Sequence, residues 1–420
     1  MKRKNICRLV PVLLSAFMLL PAGAYAASPD PQKLTLSAPV LKGGFVDVEI
    51  PNNYSQVSTE EMQQIDRSMR AFVPAADSLI KNKAKDFYYY SQLNTFQQDM
   101  YDAIMIITEY PDQEDNYSIL FTDVNPESDA FYKDMGTVYT ALTLDHPELF
   151  WMRNFSEAEI CAVSDEVEED SIYAVYFFFA EPYKNYKTEM TAFNSAAEGF
   201  LSDIDTGGSE MDTAIQIHDK LIEMVTYDED TAEEDVARGG DLAHSAYGAL
   251  VKNSVGLEHT AVCDGYSLAF LYLLQQVGIE AAVVPGVAGS EDAFGGHAWN
   301  IVNLDGTWYE VDATWDDSLE SLEAEINDPA NKSIDGYAYF KEAIEDADYR
   351  NVLTHYLYGV STPSIRHYTP SDDEVYITND QLYVIDLLGE SEHIRDDEAD
   401  PDSFYGGLVA SLPNAAGSLH

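Results

Sequence analysis

Two stretches decide how this chain folds: residues 261–278, AVCDGYSLAFLYLLQQVG, and residues 296–314, GHAWNIVNLDGTWYEVDAT. In the first, apolar residues follow Cys263 and Gly278 suits a C-terminal cap, so the pattern predicts a helix that begins at Cys263. Unpaired N–H groups and the positive end of the helix dipole lie at such a start, and both stabilise a thiolate. The pattern therefore favours a nucleophilic role for Cys263.

The second stretch predicts a β-hairpin. Asp305-Gly306 is a strong two-residue turn, and Thr307 to Thr314 is expected to return as the partner strand. Before the hairpin, Glu280 to Val287 is typical of a buried strand, and the glycine-containing segment from Gly289 to Gly296 predicts a flexible loop.

The register of this hairpin brings two polar residues together. If Leu304 opposes Thr307, His297 and Asp312 are diagonal neighbours on one face of the sheet. Their Cβ atoms then lie somewhat under about 7–8 Å apart, which lets the carboxylate reach the imidazole. We expect Asp312 to fix the tautomer of His297, and His297 to take the proton of Cys263.

Spacing alone favours three residues of purely structural role over a triad, whereas the hairpin register and the position of Cys263 at a helix start favour the triad. A buried structural cysteine, a hydrogen-bonded histidine and an aspartate in a surface turn would give the same order of residues. A zinc site is disfavoured, because one thiol and one close histidine do not make a tetrahedral set. We expect neither a metal nor a cofactor.

Composition narrows the classes of function. The 420 residues include 23 Lys+Arg and 74 Asp+Glu, which gives a formal net charge of −51. Such a field repels phosphates, so we expect no nucleic-acid partner. Hydrophobic residues make up 46% of the chain, which excludes a fully disordered acidic protein. Three cysteines are too few for a disulfide framework.

Residues 1–26 have the pattern of an export signal. Basic residues precede an apolar stretch from Leu9 to Leu20, and Ala24-Tyr25-Ala26 fits a small-x-small cleavage site. The apolar stretch is shorter than the roughly 20 residues that a membrane span needs. We expect a secreted, extracellular protein without a membrane span, and association with the cell surface stays open. Of the two cysteines that remain, Cys161 lies on a β-rich run and is expected to be a small buried residue.

The rest of the chain divides into an N-terminal mixed helix and strand region (27–205), a core (206–320) and a C-terminal extension (321–420). Gly207-Gly208 marks the first boundary, and a capping box at Ser209 begins a helix that runs to about Val225. The other predicted elements are helices over 94–110 and 129–144, a hairpin of strands 158–163 and 171–180 around an acidic turn, an exposed acidic linker over 390–402, and an apolar segment 404–412 that docks on the body.

Three blocks of residues resemble a known family. Val262-Cys263-x-Gly265-Tyr266-Ser267, then Gly296-His297-Ala298-Trp299-Asn300, then Trp308-Tyr309-x-Val311-Asp312-x-Thr314-Trp315 are similar to the bacterial transglutaminase-like superfamily, in family order. The similarity covers roughly residues 210–320, and Asp145-His146-Pro147-Glu148-Leu149-Phe150-Trp151 resembles the upstream region of secreted members.

The resemblance implies an α+β, papain-like core in which a nucleophile helix packs on an antiparallel sheet, preceded by a mixed N-terminal domain. It also implies a triad of Cys263 as nucleophile, His297 as base and then acid, and Asp312 as the residue that orients His297. Tyr247 is a candidate second oxyanion donor, although a core tyrosine explains it better.

The function expected is acyl transfer on extracellular protein or peptide amides, by a transglutaminase, peptidase or deamidase. The alternative is a non-catalytic extracellular binding or scaffold protein that keeps the fold.

Overall fold

A computed structural model describes part of the chain. The described residues are 6–9, 45–46, 87–109, 111–112, 117–121, 128–153, 160–168, 171–179, 182–233, 242–290, 293–317, 358–360, 392–395, 406–409 and 411–413. Most of the predicted export segment 1–26 and most of the C-terminal extension 321–420 lie outside these residues.

The elements are numbered here in chain order. The described helices are α1 Tyr88–Gln92, α2 Thr95–Thr108, α3 Asp129–Asp145, α4 Tyr186–Leu201, α5 Glu210–Met224, α6 Glu229–Glu233, α7 Ala246–Leu250, α8 Cys263–Val277, α9 Ala313–Asp316 and α10 Gly406–Val409. The described strands are β1 Ile6–Leu9, β2 Phe45–Val46, β3 Tyr117–Phe121, β4 Ile160–Glu168, β5 Ser171–Phe179, β6 Thr226–Tyr227, β7 Thr260–Ala261, β8 Ala281–Ser290, β9 Ala293–Leu304, β10 Thr307–Val311, β11 Tyr358–Val360 and β12 Glu392–Arg395. Short 3-10 turns lie at Pro147–Arg153 and Leu242–His244.

The predicted helices are confirmed, and their first residues follow from their caps. Helix α2 begins after Asn94, whose side chain forms a capping box with Gln97. Helix α3 begins after Ser128, whose hydroxyl accepts from the backbone N–H of Phe131. Helix α5 begins at the predicted capping box of Ser209. Among the described residues, no helix has both the length and the apolar character that a bilayer crossing requires.

In the N-terminal region, the described strands form an antiparallel sheet in the order β2–β1–β4–β5–β3. The predicted β4–β5 hairpin is confirmed, but β4 extends to Glu168 and includes acidic residues that were expected to form the turn. Charged side chains are compatible with an antiparallel strand that has one face in water, so the acidic composition alone did not mark the strand's end.

In the core, helix α8 packs against a second antiparallel sheet with the order β11–β10–β9–β8–β12. The Ser267 hydroxyl on α8 donates to the carbonyl of Ala298, and the Asn300 side-chain amide on β9 donates to the carbonyl of Ser267. The helix ends at Gly278, which has a φ of +89°, the left-handed conformation that glycine adopts without strain. The predicted α+β core is therefore confirmed.

The β9–β10 hairpin has the predicted register, but its neighbours differ from expectation. Leu304 lies opposite Thr307, as predicted, and the pairing continues to Val311, where β10 ends before the predicted Thr314. The predicted flexible loop from Gly289 to Gly296 is wrong: β8 runs to Ser290 and β9 begins at Ala293. Backbone pairing between two adjacent strands overrides the low strand propensity of glycine in this segment.

The C-terminal extension returns to the core. The prediction of an exposed linker over 390–402 is wrong for Glu392–Arg395, which forms strand β12 beside β8. The guanidinium of Arg395 is buried and binds the buried carboxylate of Glu310 on β10. The predicted docking of 404–412 is confirmed for the part of it that the structure describes, 406–409 and 411–412, in which Leu408, Val409 and Leu412 are buried.

The N-terminal region packs directly on the core. The Tyr89 hydroxyl donates to the carbonyl of Val283 on β8. The Gln275 side chain on α8 donates to the carbonyl of Asp145 at the end of α3, at 2.9 Å. Apolar residues of both regions pack in one continuous buried cluster. The position of β8 and α8, and hence of the residues that they carry, depends on both regions.

The buried Arg395–Glu310 pair gives a stability prediction. Arg395→Met leaves the Glu310 carboxylate buried without its cation, so we expect the free energy of unfolding in urea to fall by about 3–5 kcal/mol. The matched control is Lys187, which is 78% exposed and pairs with Asp112 at 2.5 Å. Lys187→Met should cost less than about 1 kcal/mol, because solvent screens an exposed pair. Equal losses of unfolding free energy in the two variants would show that the buried Arg395–Glu310 pair stabilises the fold no more than an exposed pair does.

Candidate active site

Cys263 is the first residue of helix α8, as predicted. The backbone before it is held in place, because the N–H of Val262 donates to the carbonyl of Ala243 at 3.1 Å. The N–H of Cys263 is one of the first four in the helix, which have no intrahelical acceptor. Cys263 is 2% exposed, so its thiol lies under other side chains in this conformation.

A close backbone contact fixes this helix start. A Cβ on Gly265 would lie 2.3 Å from the carbonyl oxygen of Ala243 and 2.8 Å from the Cβ of Ala261. A Cβ on Gly248 would lie 2.3 Å from the carbonyl oxygen of Leu242. Only glycine at these two positions allows the turn at 242–244 to approach helices α7 and α8 this closely.

The structure brings His297 and Asp312 together, as the sequence predicted. The Nε2 of His297 on β9 lies 2.6 Å from Oδ2 of Asp312. Asp312 lies beyond the end of β10 and is the N-cap of helix α9, where its Oδ1 accepts from the N–H groups of Thr314 (3.1 Å) and Trp315 (3.2 Å). The predicted contact is present, but a helix cap orients the carboxylate where a continuing strand was expected.

Cys263 and His297 form the second contact of the site. The thiol hydrogen-bonds with the imidazole and also accepts from the backbone N–H of Ala298. Because Nε2 of His297 faces Asp312, Nδ1 is the ring nitrogen left to face the sulfur. The imidazole therefore lies between the thiol and the carboxylate, as a proton carrier must.

The charges of the three groups depend on one another. Burial raises the pKa of the Cys263 thiol, and the charge and hydrogen bond of His297 oppose that rise. Burial lowers the pKa of His297, but the charges of Asp312 and Cys263 and its hydrogen bonds to both raise it to about 10. Burial raises the pKa of Asp312, and the charge of His297 and hydrogen bonds from imidazoles hold it well below its usual range. At neutral pH the site therefore holds a protonated imidazole beside an ionised carboxylate.

A second histidine, which the sequence analysis missed, lies on the same carboxylate. The Nε2 of His393 on strand β12 is 2.7 Å from Oδ2 of Asp312. Its ring lies between two indoles, with centroids 4.8 Å from Trp299 and 4.6 Å from Trp315. The sequence has no periodic signal for this strand, because Ile394 is its one apolar residue and the buried positions include polar His393 and Arg395.

Among the side chains that the structure describes, one group has the donor types of a metal site. The ligand atoms of His297, Asp312 and His393 lie within 4.8 Å of one another. Both nitrogens are at hydrogen-bonding distance from a single carboxylate oxygen, at 2.6 and 2.7 Å. Two imidazole N–H donors on one acceptor account for this geometry in full, and the group provides three of the four ligands of a tetrahedral zinc site.

The remaining candidates lie away from the chemistry. Tyr247 packs in the core, with its ring centroid 4.5 Å from Phe150 and 6.4 Å from Phe193, which confirms the core interpretation over an oxyanion role. Cys161 is placed on β4 by its backbone.

A buried ion pair supports the helix that Asp312 caps. His218 on α5 lies between two carboxylates, with Nε2 3.2 Å from Asp316 on α9 and Nδ1 3.0 Å from Asp219. Burial lowers the pKa of His218, but the hydrogen bonds and charges of both aspartates raise it to about 9. The protonated ring therefore ties α5 to the end of α9.

Comparison with known proteins agrees with this architecture. Residues 199–313 match the family model described as the Transglutaminase-like superfamily. With the α+β core described above, the match shows that the chain contains a transglutaminase-like superfamily domain. The matched residues include Cys263, His297 and Asp312 and end well before His393.

Two curated relatives and one solved structure are similar over shorter parts. Proteins named Kyphoscoliosis peptidase, from Mus musculus and Homo sapiens, are each 37% identical over 65 residues. That match covers 14% of this chain and only 10% of each relative's length. A solved structure titled "Crystal structure of a TGase" has 18% sequence identity and a TM-score of 0.24, and the likeness covers 36% of this chain and 43% of that one. A TM-score this low supports no argument about fold.

The close approach at Gly265 gives a paired prediction. Gly265→Ala places a methyl group against fixed backbone beside Cys263, so we expect a loss of stability of about 1–3 kcal/mol from overpacking. The control is Gly199→Ala in α4, where nothing lies within 4 Å of the added Cβ. That change should stabilise by up to about 1 kcal/mol, because alanine favours helix. Thermal unfolding midpoints that move in the same direction would contradict the prediction.

The His218 ion pair predicts a pH dependence. Because the pKa of His218 is about 9 in the folded chain and roughly 6.5 when unfolded, its contribution to stability is fully present below pH 6.5. The contribution decreases as pH rises and is lost above about pH 9. We expect His218→Gln to be destabilised at pH 6, by up to about 3 kcal/mol, and much less at pH 9.5.

Urea denaturation at the two pH values tests this expectation. The control is Asp219→Asn, which removes the more exposed carboxylate and should have a smaller effect. A loss in His218→Gln that is the same at both pH values would show that the ring is neutral in the folded protein.

Proposed function

We propose that this protein is an exported thiol acyl-transfer enzyme that acts on protein or peptide amides. The observation that supports the proposal is the placement of His297 between the Cys263 thiol and the Asp312 carboxylate, within a domain of the transglutaminase-like superfamily. This order of groups is that of a nucleophile, a base and an orienting acid.

The residues carry out acyl transfer in two half-reactions. The reactive form of the site is the pair of Cys263 thiolate and protonated His297, in which the imidazolium offsets the effect of burial on the thiol. The thiolate attacks the amide carbonyl, a C–S bond forms, the C–N bond breaks, and protonated His297 gives its proton to the departing amine. Neutral His297 then takes a proton from the incoming amine or water, which attacks the thioester and releases the Cys263 thiolate. Asp312 stays ionised throughout and holds the imidazole with Nδ1 toward the sulfur.

The developing oxyanion needs donors near the sulfur. The N–H of Cys263 is suited to this role, because it lies at the positive end of helix α8. The N–H of Ala298 already faces the sulfur and stabilises the thiolate. Tyr247 is not part of this set, because its ring lies in the aromatic core.

The second substrate decides the type of enzyme. An amine gives a cross-link, whereas water gives peptide cleavage or deamidation. The name of the mouse and human relatives, Kyphoscoliosis peptidase, favours water, although those proteins match over only 10% of their length. We therefore place hydrolysis first and cross-linking second.

A non-catalytic binding or scaffold protein is the second candidate. The observation in its favour is the 2% exposure of Cys263, because a peptide carbonyl cannot reach the sulfur until part of the cover moves. The contacts of the thiol with an imidazole and a backbone N–H favour the enzyme, since a purely structural cysteine needs neither.

Export is the proposed route to an extracellular substrate. The basic start, short apolar stretch and Ala24-Tyr25-Ala26 site support removal of residues 1–26. Strand β1 lies within that segment, between β2 and β4 in the sheet. Removal would therefore leave β4 as an edge available to another strand.

The test is mass spectrometry of a mixed peptide library incubated with the protein, with and without a primary amine. A cut backbone identifies a peptidase, a gain of the amine's mass a transglutaminase, and a one-unit gain a deamidase. Cys263→Ala should abolish the product and leave the thermal unfolding midpoint close to that of the wild type. The matched control, Cys161→Ala, should keep full activity. Product formed equally by Cys263→Ala would end the proposal.

A further inference from the structure

Strand β12 adds a residue to the site from far along the chain. Arg395 on β12 pairs with Gly286 on β8, and Gly286 pairs with His297 on β9, so all three lie on one face of the sheet. His393 is two residues from Arg395 and shares that face. Because Gly286 has no side chain, none stands between His297 and Arg395 in this row of the sheet, and the His393 ring packs against the His297 ring with centroids 5.4 Å apart.

The strand is held there by its own contacts. Arg395 binds Glu310, two residues before Asp312, and also donates to the backbone carbonyls of Leu412 and Pro413. The Arg395 guanidinium and the Glu310 carboxylate are both buried, and Leu412 and Pro413 are the last residues that the structure describes. The position of His393 is therefore fixed by the fold of the C-terminal extension, which the family match does not include.

His393 is a neutral hydrogen-bond donor. Burial lowers its pKa, and the charge of His297 acts in the same direction, against the opposing effects of Asp312 and Glu310. Among the residues that the structure describes, its Nδ1 is buried and has no hydrogen-bond partner. The tautomer that suits both nitrogens carries its proton on Nε2, which donates to Asp312, and leaves Nδ1 unprotonated beside the two indoles.

We propose that His393 is a positioning residue of the candidate active site. It donates the fourth hydrogen bond to Asp312 and thereby weakens the attraction between that carboxylate and His297. The inference rests on the proposed function, because it concerns the same site. His393 acts through its hydrogen bond to Asp312, and its ring also packs edge-on against that of His297, with centroids 5.4 Å apart. His393→Phe keeps an aromatic ring at this position, so it separates the hydrogen bond from the ring packing.

The effect follows from the sharing of one oxygen. Oδ2 of Asp312 accepts from both His297 and His393, at 2.6 and 2.7 Å, so the two donors divide its negative charge. Without His393, Oδ2 of Asp312 acts on His297 alone and keeps the imidazole protonated to higher pH. A base that must take a proton from water or an amine is then available less often at neutral pH.

The experiment compares three substitutions at one position. His393→Phe keeps an aromatic ring between the indoles and removes the donor. His393→Asn keeps a polar group but is too short to place its amide at Nε2. His393→Gln places its amide near Nε2 and keeps the donor. The matched control outside the site is His146→Gln, another buried histidine hydrogen-bonded to a carboxylate, Glu148, at 2.7 Å.

The main measurement is the rate of alkylation of Cys263 by iodoacetamide as a function of pH, followed by mass spectrometry. In His393→Phe and His393→Asn, we expect the pKa that marks the loss of the His297 proton to move up by about one unit, and kcat for any amide substrate to fall by about tenfold, with KM unchanged. His393→Gln and His146→Gln should resemble the wild type.

The outcomes separate this inference from the proposed function. Profiles of His393→Phe and His393→Asn that superimpose on the wild type would overturn the role of His393, even if Cys263→Ala is inactive. Turnover that survives in Cys263→Ala would overturn the proposed function, whereas a shifted alkylation profile would still support the inference. A wild-type profile that changes on addition of a chelator would assign the cluster to a metal and overturn the inference. Asparagine keeps the test valid if the phenylalanine variant does not fold.

Discussion

The carboxylate of Asp312 is the group on which the site depends. Its Oδ1 accepts from the N–H groups of Thr314 and Trp315, and its Oδ2 from the imidazoles of His297 and His393. A carboxylate that is 1% exposed would be costly to ionise without such partners. The four donors come from a strand, a helix start and a distant strand, so the same charge that orients the imidazole also joins three parts of the chain.

Around this group the fold leaves little freedom. Gly265 and Gly248 allow backbone to approach backbone where a methyl group would not fit, so the start of helix α8 cannot shift without moving the turn at 242–244. On the other side, His218 ties helix α9, and with it Asp312, to helix α5. The sulfur and the carboxylate are thus held by different elements, and the imidazole spans the distance between them.

Local signals in the sequence were sufficient for the part of the site that lies close together in the chain. The turn at Asp305-Gly306 fixed the register of β9 and β10, and the apolar run after Cys263 fixed the helix. The end of β10 at Val311 was not predictable, because Asp312 stops the strand by capping a short helix, and that choice depends on the partners of its carboxylate. The strand ends at Gly289–Ser290 and 293–296 were missed because pairing between β8 and β9 overrode local propensity.

His393 was missed for a different reason. It lies 81 residues from Asp312 in the sequence, within an acidic run whose composition indicates a solvated linker. Only the pairing of β12 with β8, and the burial of Arg395 against Glu310, place it in the core. Contacts between residues this far apart carry no periodic signal, so composition was the only guide, and it pointed to solvent.

The near-complete burial of Cys263 has a consequence for the oxidation of its sulfur. Oxidants convert accessible thiolates to sulfenic acid and then to forms that are not recovered, and the rate follows exposure. At 2% exposure the sulfur is shielded from this damage, and burial also raises the pKa of the Cys263 thiol against the opposing charge of His297, which reduces the fraction of vulnerable thiolate. Any local opening that admitted an amide substrate to the sulfur would admit oxidants as well, so under the proposed function the two reactions would depend on one opening equilibrium.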